Sequence, residues 1–143
     1  MTRIVAAALI ALALAAPALA SDSVVHLTLD GRPVDRSGGI AVLHNGVVYA
    51  DVVDLTKAFD GLLTFHGNAA EITINGVTAT VTAGSRTMTI QQGSIVMPGP
   101  VFRRNGDLYV PLSTFVTRVA KAQVRTDAAH TRADIYVNSN PMS

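Results

Sequence analysis

Three Asn-Gly dipeptides, Asn45-Gly46, Asn75-Gly76 and Asn105-Gly106, each sit between two short apolar runs. Both central residues of a two-residue type I′ turn need φ > 0. Asparagine tolerates that conformation, and glycine has no Cβ to oppose it. The spacing therefore predicts hairpins. The first joins Ile40-Ala41-Val42-Leu43 to Val47-Val48-Tyr49. The second joins Glu71-Ile72-Thr73-Ile74 to the alternating Val77, Ala79, Val81 and Ala83, and the third joins Val101-Phe102-Arg103 to Leu108-Tyr109-Val110. Upstream, Val25, Leu27 and Leu29 alternate with His26, Thr28 and Asp30, the pattern of a strand with one buried face. Asp30-Gly31 then offers a tight turn into Arg32-Pro33-Val34. An antiparallel, hairpin-rich sheet is the default.

Two segments leave the period of two. From Asp51 to Phe59, the apolar residues Val52, Leu55 and Phe59 fall at i, i+3 and i+7, with Asp51 placed to cap and Gly61 to stop the helix. From Pro111 to Lys121, the residues Leu112, Phe115, Val116, Val119 and Ala120 form one helical stripe. Helices of two to three turns do not persist alone, so each must lay its stripe on the sheet. The expected fold is α+β: a twisted antiparallel sheet of hairpins packed on two short helices.

These two helices follow similar strands. Asn45-Gly46-Val47-Val48-Tyr49-Ala50-Asp51-Val52 aligns with Asn105-Gly106-Asp107-Leu108-Tyr109-Val110-Pro111-Leu112 at a constant offset of 60. Leu55 then pairs with Phe115, and Phe59 with Val119. A duplicated β-β-α-β unit is the expectation, joined near Gly84-Ser85 within one packed body.

The first 20 residues have a different character. Arg3 precedes Ile4 to Ala20, which hold only Ala, Ile, Val, Leu and Pro, and Ala18-Leu19-Ala20 is a small-x-small cleavage site. This is the pattern of a secretory signal peptide. The unbroken apolar run from Ile4 to Ala16 is 13 residues, short of the roughly 20 that span a membrane. Residues 1–20 are expected to be removed on export, leaving one domain from 21 to 143 in the periplasm or at the cell surface, with no membrane span. Removing Arg3 from 11 Lys+Arg leaves 10 against 10 Asp+Glu. A neutral chain exerts no long-range pull on nucleic acid. The one basic doublet, Arg103-Arg104, is expected in a solvated loop. There is no cysteine, which excludes disulfides, thiolate metal sites and thiol nucleophiles.

Chemistry-bearing motifs are sparse. His26, His44, His66 and His130 have neither the i, i+4 nor the i, i+2 spacing that preforms a metal site. Solvated surface histidines and no metal site are therefore expected; the alternative is His66 and His130, which occupy near-equivalent places in the two halves and are the metal candidates. No Gly-x-Ser-x-Gly elbow, phosphate loop, dinucleotide fingerprint or calcium loop occurs. Ser113, in the first turn of the second helix, is expected to cap it. Asp51 and Asp54 share a helix face, but capping and the helix dipole account for both. Tyr49, Tyr109, Tyr136, Phe65 and Phe102 could form an exposed aromatic strip for glycan or peptide. The recurrence of Tyr49 and Tyr109 beside each helix start suits core packing better.

The second half, from Val101-Phe102 through Asn105-Gly106, Leu108-Tyr109 and Val110-Pro111-Leu112 to Phe115, resembles the copper amine oxidase N-terminal domain-like, or stalk, family. Val81–Met88 and Gln92–Met97 look like that family's upstream hairpin. The first half departs from the pattern, with Ala50-Asp51-Val52 in place of Val-Pro-Leu. In the amine oxidases this resemblance implies a separate, non-catalytic stalk, with copper and quinone elsewhere in a larger chain. The expected function is accordingly that of an exported, non-enzymatic stalk-like module without a cofactor, mediating protein or cell-envelope interaction. The alternative is a small periplasmic copper- or zinc-binding protein.

Overall fold

The computed structural model describes residues 22–34, 41–91 and 93–137. The expected signal peptide and its cleavage site lie outside these residues. In chain order the elements are β1 (Ser23–Leu29), β2 (Arg32–Pro33), β3 (Ala41–His44), β4 (Val47–Asp51), α1 (Val52–Ala58), β5 (Leu62–His66), β6 (Ala69–Ile74), β7 (Val77–Thr82), β8 (Thr87–Ile90), β9 (Gly93–Val96), β10 (Phe102–Arg104), β11 (Asp107–Pro111), α2 (Leu112–Arg118), β12 (Gln123–Thr126) and β13 (Arg132–Tyr136).

All three Asn-Gly turns form as the spacing predicts. Their φ pairs are 51° and 80°, 50° and 83°, and 52° and 88°, and Asp30-Gly31 makes a fourth at 49° and 86°. Each turn joins adjacent antiparallel strands: β3 to β4, β6 to β7, β10 to β11, and β1 to β2.

The architecture is α+β with antiparallel sheets, but it differs from the single-sheet expectation in two ways. The described strands form two sheets. One runs β10-β11-β4-β3-β1-β13-β12, with β2 beside β1, and the other is the meander β5-β6-β7-β8-β9. The Asn75-Gly76 turn lies inside the second sheet, where it joins β6 to β7, whereas the Asn45-Gly46 and Asn105-Gly106 turns lie inside the first. The second difference is that β1 and β13 are parallel, His26 to Leu29 lying beside Arg132 to Ile135. Thr28 Oγ1 donates to the Asp134 carboxylate across this pair. That bond holds Asp134 below the usual carboxylate range, helped by Arg132. No local turn announces a pairing between strands some hundred residues apart, so it was invisible to period and punctuation.

Both sheets and both helices share one core. Val25, Ala50, Leu108, Val110 and Ile135 come from one sheet, and Ile72, Ile74, Val81 and Met88 from the other. Val52 and Leu55 of α1, and Leu112, Phe115 and Val116 of α2, are fully buried between them. Asp51 caps α1 as expected, its Oδ1 accepting from the Val53 N–H at 2.8 Å. Gly61 does not stop that helix. The left-handed residue is Asp60, at φ 57°, followed by the Gly61 N–H donating back to the Thr56 carbonyl at 2.8 Å. Gly61 is small for another reason: a Cβ there would lie 2.6 Å from the Thr73 carbonyl oxygen. α2 begins at Pro111 with no side-chain cap, so Ser113 does not serve as one. Its carbonyl instead accepts from Thr117 Oγ1 at 2.8 Å.

Candidate functional site

Alternation along the strands sorts side chains between the two faces of the larger sheet. Val25, Ala41, Ala50, Leu108 and Val110 point to the shared core. Their neighbours Val42, Tyr49 and Tyr109 form a separate small cluster on the opposite face, with Val47 and Phe102 against it. His44 and Arg104 share this face by register, His44 two residues from Val42 and Arg104 two from Phe102.

The sheet coils strongly here. β3 and β10 are separated by β4 and β11, which in a flat sheet would put them roughly 14 Å apart. Yet the His44 and Phe102 ring centroids are 4.5 Å apart. Phe102 is also 4.7 Å from Tyr49 and stacks on Tyr109 at 5.4 Å, with planes 5° from parallel. The edge strand β10 thus folds its phenylalanine over the rings of β3 and β4. Tyr49 is pinned from the other side, its hydroxyl donating to the Pro100 carbonyl at 2.9 Å. Gly99 permits that approach, since a Cβ there would meet the Tyr49 hydroxyl at 2.3 Å. Burial pushes the hydroxyls of both tyrosines above their ordinary pKa.

Charged groups rim the rings. Asp22 bridges two strands that the coil brings together, 2.9 Å from His44 Nδ1 and 3.1 Å from Arg104 Nη2. The Arg104 guanidinium lies 5.9 Å from the centre of the Tyr109 ring. Arg103-Arg104 is therefore not a solvated loop. Both residues lie in β10, and Arg103 donates to Asn68 Oδ1 at 3.2 Å. On the far side of Tyr109, Asp51 is only 4% exposed. Burial pushes its carboxyl up to about 7, reinforced by a hydrogen bond with Asp107 and opposed by the Val53 N–H.

Of the five aromatic candidates, the structure gathers Tyr49, Tyr109 and Phe102 and leaves out the other two. The tyrosines are buried, as core packing required. Phe65 is 46% exposed on β5 of the other sheet, and Tyr136 pairs with Arg125 at 5.9 Å. Sequence reasoning missed Asp22, His44 and Arg104 as a group. The available signal was register: they flank the Asn45-Gly46 and Asn105-Gly106 turns with the parity of the aromatic residues.

The metal candidates stand on different sheets. His66 ends β5, 3.9 Å from Glu71 Oε1. His130 lies in the turn between β12 and β13, where its N–H donates to the Asp127 carbonyl and its ring helps line a groove of about 130 Å³ with Gly46 and Pro111. Among the described residues, no group of three or more His, Cys, Asp or Glu side chains is placed to hold a metal. What the aromatic face offers is recognition chemistry: ring surface, a half-exposed imidazole and a guanidinium, both held by one carboxylate.

A family model described as Copper amine oxidase N-terminal domain matches residues 28–135. That span covers the last two residues of β1, all of β2 to β12 and all but the last residue of β13, including β4 and β11, which carry Tyr49 and Tyr109. Nothing matches the chain among the curated proteins or the solved structures.

Proposed function

Because the chain belongs to the copper amine oxidase N-terminal domain family, we propose that it acts as an exported, stalk-like module that binds a protein or cell-envelope partner without catalysing a reaction. The observation that carries this reading is the aromatic face. His44, Phe102 and Arg104 are partly exposed over a rigid base of buried Tyr49 and Tyr109. A recognition surface needs this combination, since anchored rings and fixed hydrogen-bonding groups lose little entropy on binding. The repeat read from the sequence also belongs here. β4 and β11 pair with Ala50 opposite Val110, so Tyr49 opposes Pro111 and Tyr109 opposes Asp51. That register is symmetric about Ala50 and Val110 at the offset of 60, which supports a duplicated unit. Export rests on Arg3, the apolar run and Ala18-Leu19-Ala20.

Purified protein should co-sediment with cell-wall fragments or be retained by an envelope component. The His44→Ala, Arg104→Ala double variant should reduce retention to background while keeping the wild-type circular dichroism spectrum. Undiminished retention in the variant, or none in the wild type, would remove the face from the reading. N-terminal sequencing of exported protein should begin at Ser21; a Met1 start would overturn the export step.

A further inference from the structure

Among the described residues, β5 is an edge strand without the usual protection. It forms one end of the five-stranded sheet. Its sequence, Leu62-Leu63-Thr64-Phe65-His66, has no proline, lysine, arginine or carboxylate, the residues that ordinarily blunt an open edge. Two of the large apolar side chains exposed on the described surface lie on it, Leu62 at 73% and Phe65 at 46%.

The direction of its free hydrogen-bonding groups follows from the ladder. The Ala83 N–H donates to the Asn68 carbonyl, and Ile74 and Val77 flank the two-residue Asn75-Gly76 turn. Alternation then directs the main chain of Ala70, Ile72 and Ile74 toward β7, and that of Ala69, Glu71 and Thr73 toward β5. Opposite those last three stand His66, Thr64 and Leu62. The main-chain groups of Leu63 and Phe65 are therefore the ones that face outward. Their side chains share the core-facing side, because they oppose Ile72 and Ala70, both fully buried. Leu63 is packed against the core, whereas Phe65 overhangs its rim.

We propose that this edge pairs with the same edge of a second copy, antiparallel about a two-fold axis through Thr64. In that register, Leu63 faces Phe65 of the second copy and Phe65 faces its Leu63. All four outward N–H and C=O pairs on these residues are satisfied reciprocally. Each overhanging Phe65 gains an aliphatic cross-strand partner on the core side, a favourable pairing. The two Thr64 residues meet as a non-hydrogen-bonded pair. Self-complementarity selects a second copy over an unrelated strand: one two-fold operation satisfies both residues that present free groups, and no charge on β5 opposes its own image. Five residues of edge bury less than a standard interface of roughly 1,600 Å², so the dimer is a weak one that dissociates on dilution.

The axis can be tested with a single new cysteine, because the protein has none of its own. A non-hydrogen-bonded pair sets the two Cα atoms about 4.5 Å apart, within disulfide reach. Under mild oxidation Thr64→Cys should give a covalent dimer at least tenfold faster than Val96→Cys on the opposite edge strand, where Val96 is 74% exposed. Sedimentation equilibrium of the otherwise native protein should show a concentration-dependent dimer that Phe65→Lys weakens at least tenfold, with the melting temperature of the monomer unchanged. Equal cross-linking at the two edges would overturn the proposal, as would dimerisation indifferent to Phe65→Lys. So would growth beyond the dimer, which would mean that β5 joins β9 of the next copy in an open chain. A strictly monomeric protein at millimolar concentration would overturn it as well.

Discussion

The two strand-to-helix junctions solve one backbone problem with different chemistry. Asp51 enters α1 at φ −71°, ψ 128°, and Pro111 enters α2 at φ −58°, ψ 121°. The path is nearly the same. At the first junction a carboxylate satisfies an orphan N–H of the helix. At the second, proline contributes a preset φ and no side-chain hydrogen bond. Helix entry here is therefore fixed by the sheet, through the pairing of β4 with β11, and the local cap is an addition to it. The junctions differ in what else they bring: Asp51 places an ionisable group against Asp107 and Tyr109, whereas Pro111 brings no charge. The packing of the helices differs too, since Phe115 of α2 is wholly enclosed while Phe59, at the end of α1, is only partly so.

The largest effect should come from that last contrast. Phe115→Ala should cost about 3–5 kcal/mol, the range for a fully enclosed aromatic side chain. Phe59→Ala should cost about 1–2 kcal/mol, because part of its surface is already in water. Urea midpoints of the two variants measure this directly. Similar losses would mean that the two helices anchor the sheets equally and that the asymmetry is only apparent.

The second effect separates the junctions by pH. Asp51 titrates near 7 in the folded protein, against an ordinary value of 3.8. Its folded pKa is raised, so between these values the folded state holds more proton than the unfolded state. Its contribution to stability is therefore complete at the acid end and is lost as pH rises toward 7, with a slope of at most about 1.4 kcal/mol per pH unit. From pH 5 to pH 8 the loss should be on the order of 2 kcal/mol. Asp51→Asn keeps a capping oxygen and removes the charge, so it should flatten this slope. Asp134, held below the usual range by Thr28, acts in the opposite sense and only at lower pH. Its stabilisation is present above about 4 and is lost as the solution becomes more acidic. A slope that survives in Asp51→Asn would assign it to other groups.

How much of this was legible depends on the range of the interaction. Asn45-Gly46, Asn75-Gly76 and Asn105-Gly106 could be read because a type I′ turn is decided by two residues. The stripes of α1 and α2 could be read because a helix face is decided within three turns. The parallel pairing of β1 with β13 could not, since nothing near His26 or Arg132 encodes the other. The site lies between these cases. Tyr49 and Tyr109 were identifiable as packed residues from their matching places before each helix. The closure of Phe102 onto His44, and with it the bridge from Asp22 to Arg104, is a product of sheet coiling. Coiling accumulates over four strands and has no local signature.

The smallest effect concerns how the two helices end. α1 turns out of the helix through Asp60 at φ 57°, and α2 does so through Lys121 at φ 55°. An L-residue in this left-handed region costs about 1–2 kcal/mol relative to glycine in intrinsic conformational energy, and aspartate tolerates it better than lysine. Glycine at such a position also gives the unfolded chain more freedom, which offsets part of the gain. Lys121→Gly should therefore stabilise the protein by about 0.5–1 kcal/mol, and Asp60→Gly by less. Thermal melts of the two variants side by side would show the order. A larger gain at Asp60 would mean that its side chain makes no local hydrogen bond that eases the strain. A loss at Lys121 would show that the stem of the lysine, which lines the groove beside Ile95 and Arg118, packs well enough to outweigh its backbone strain.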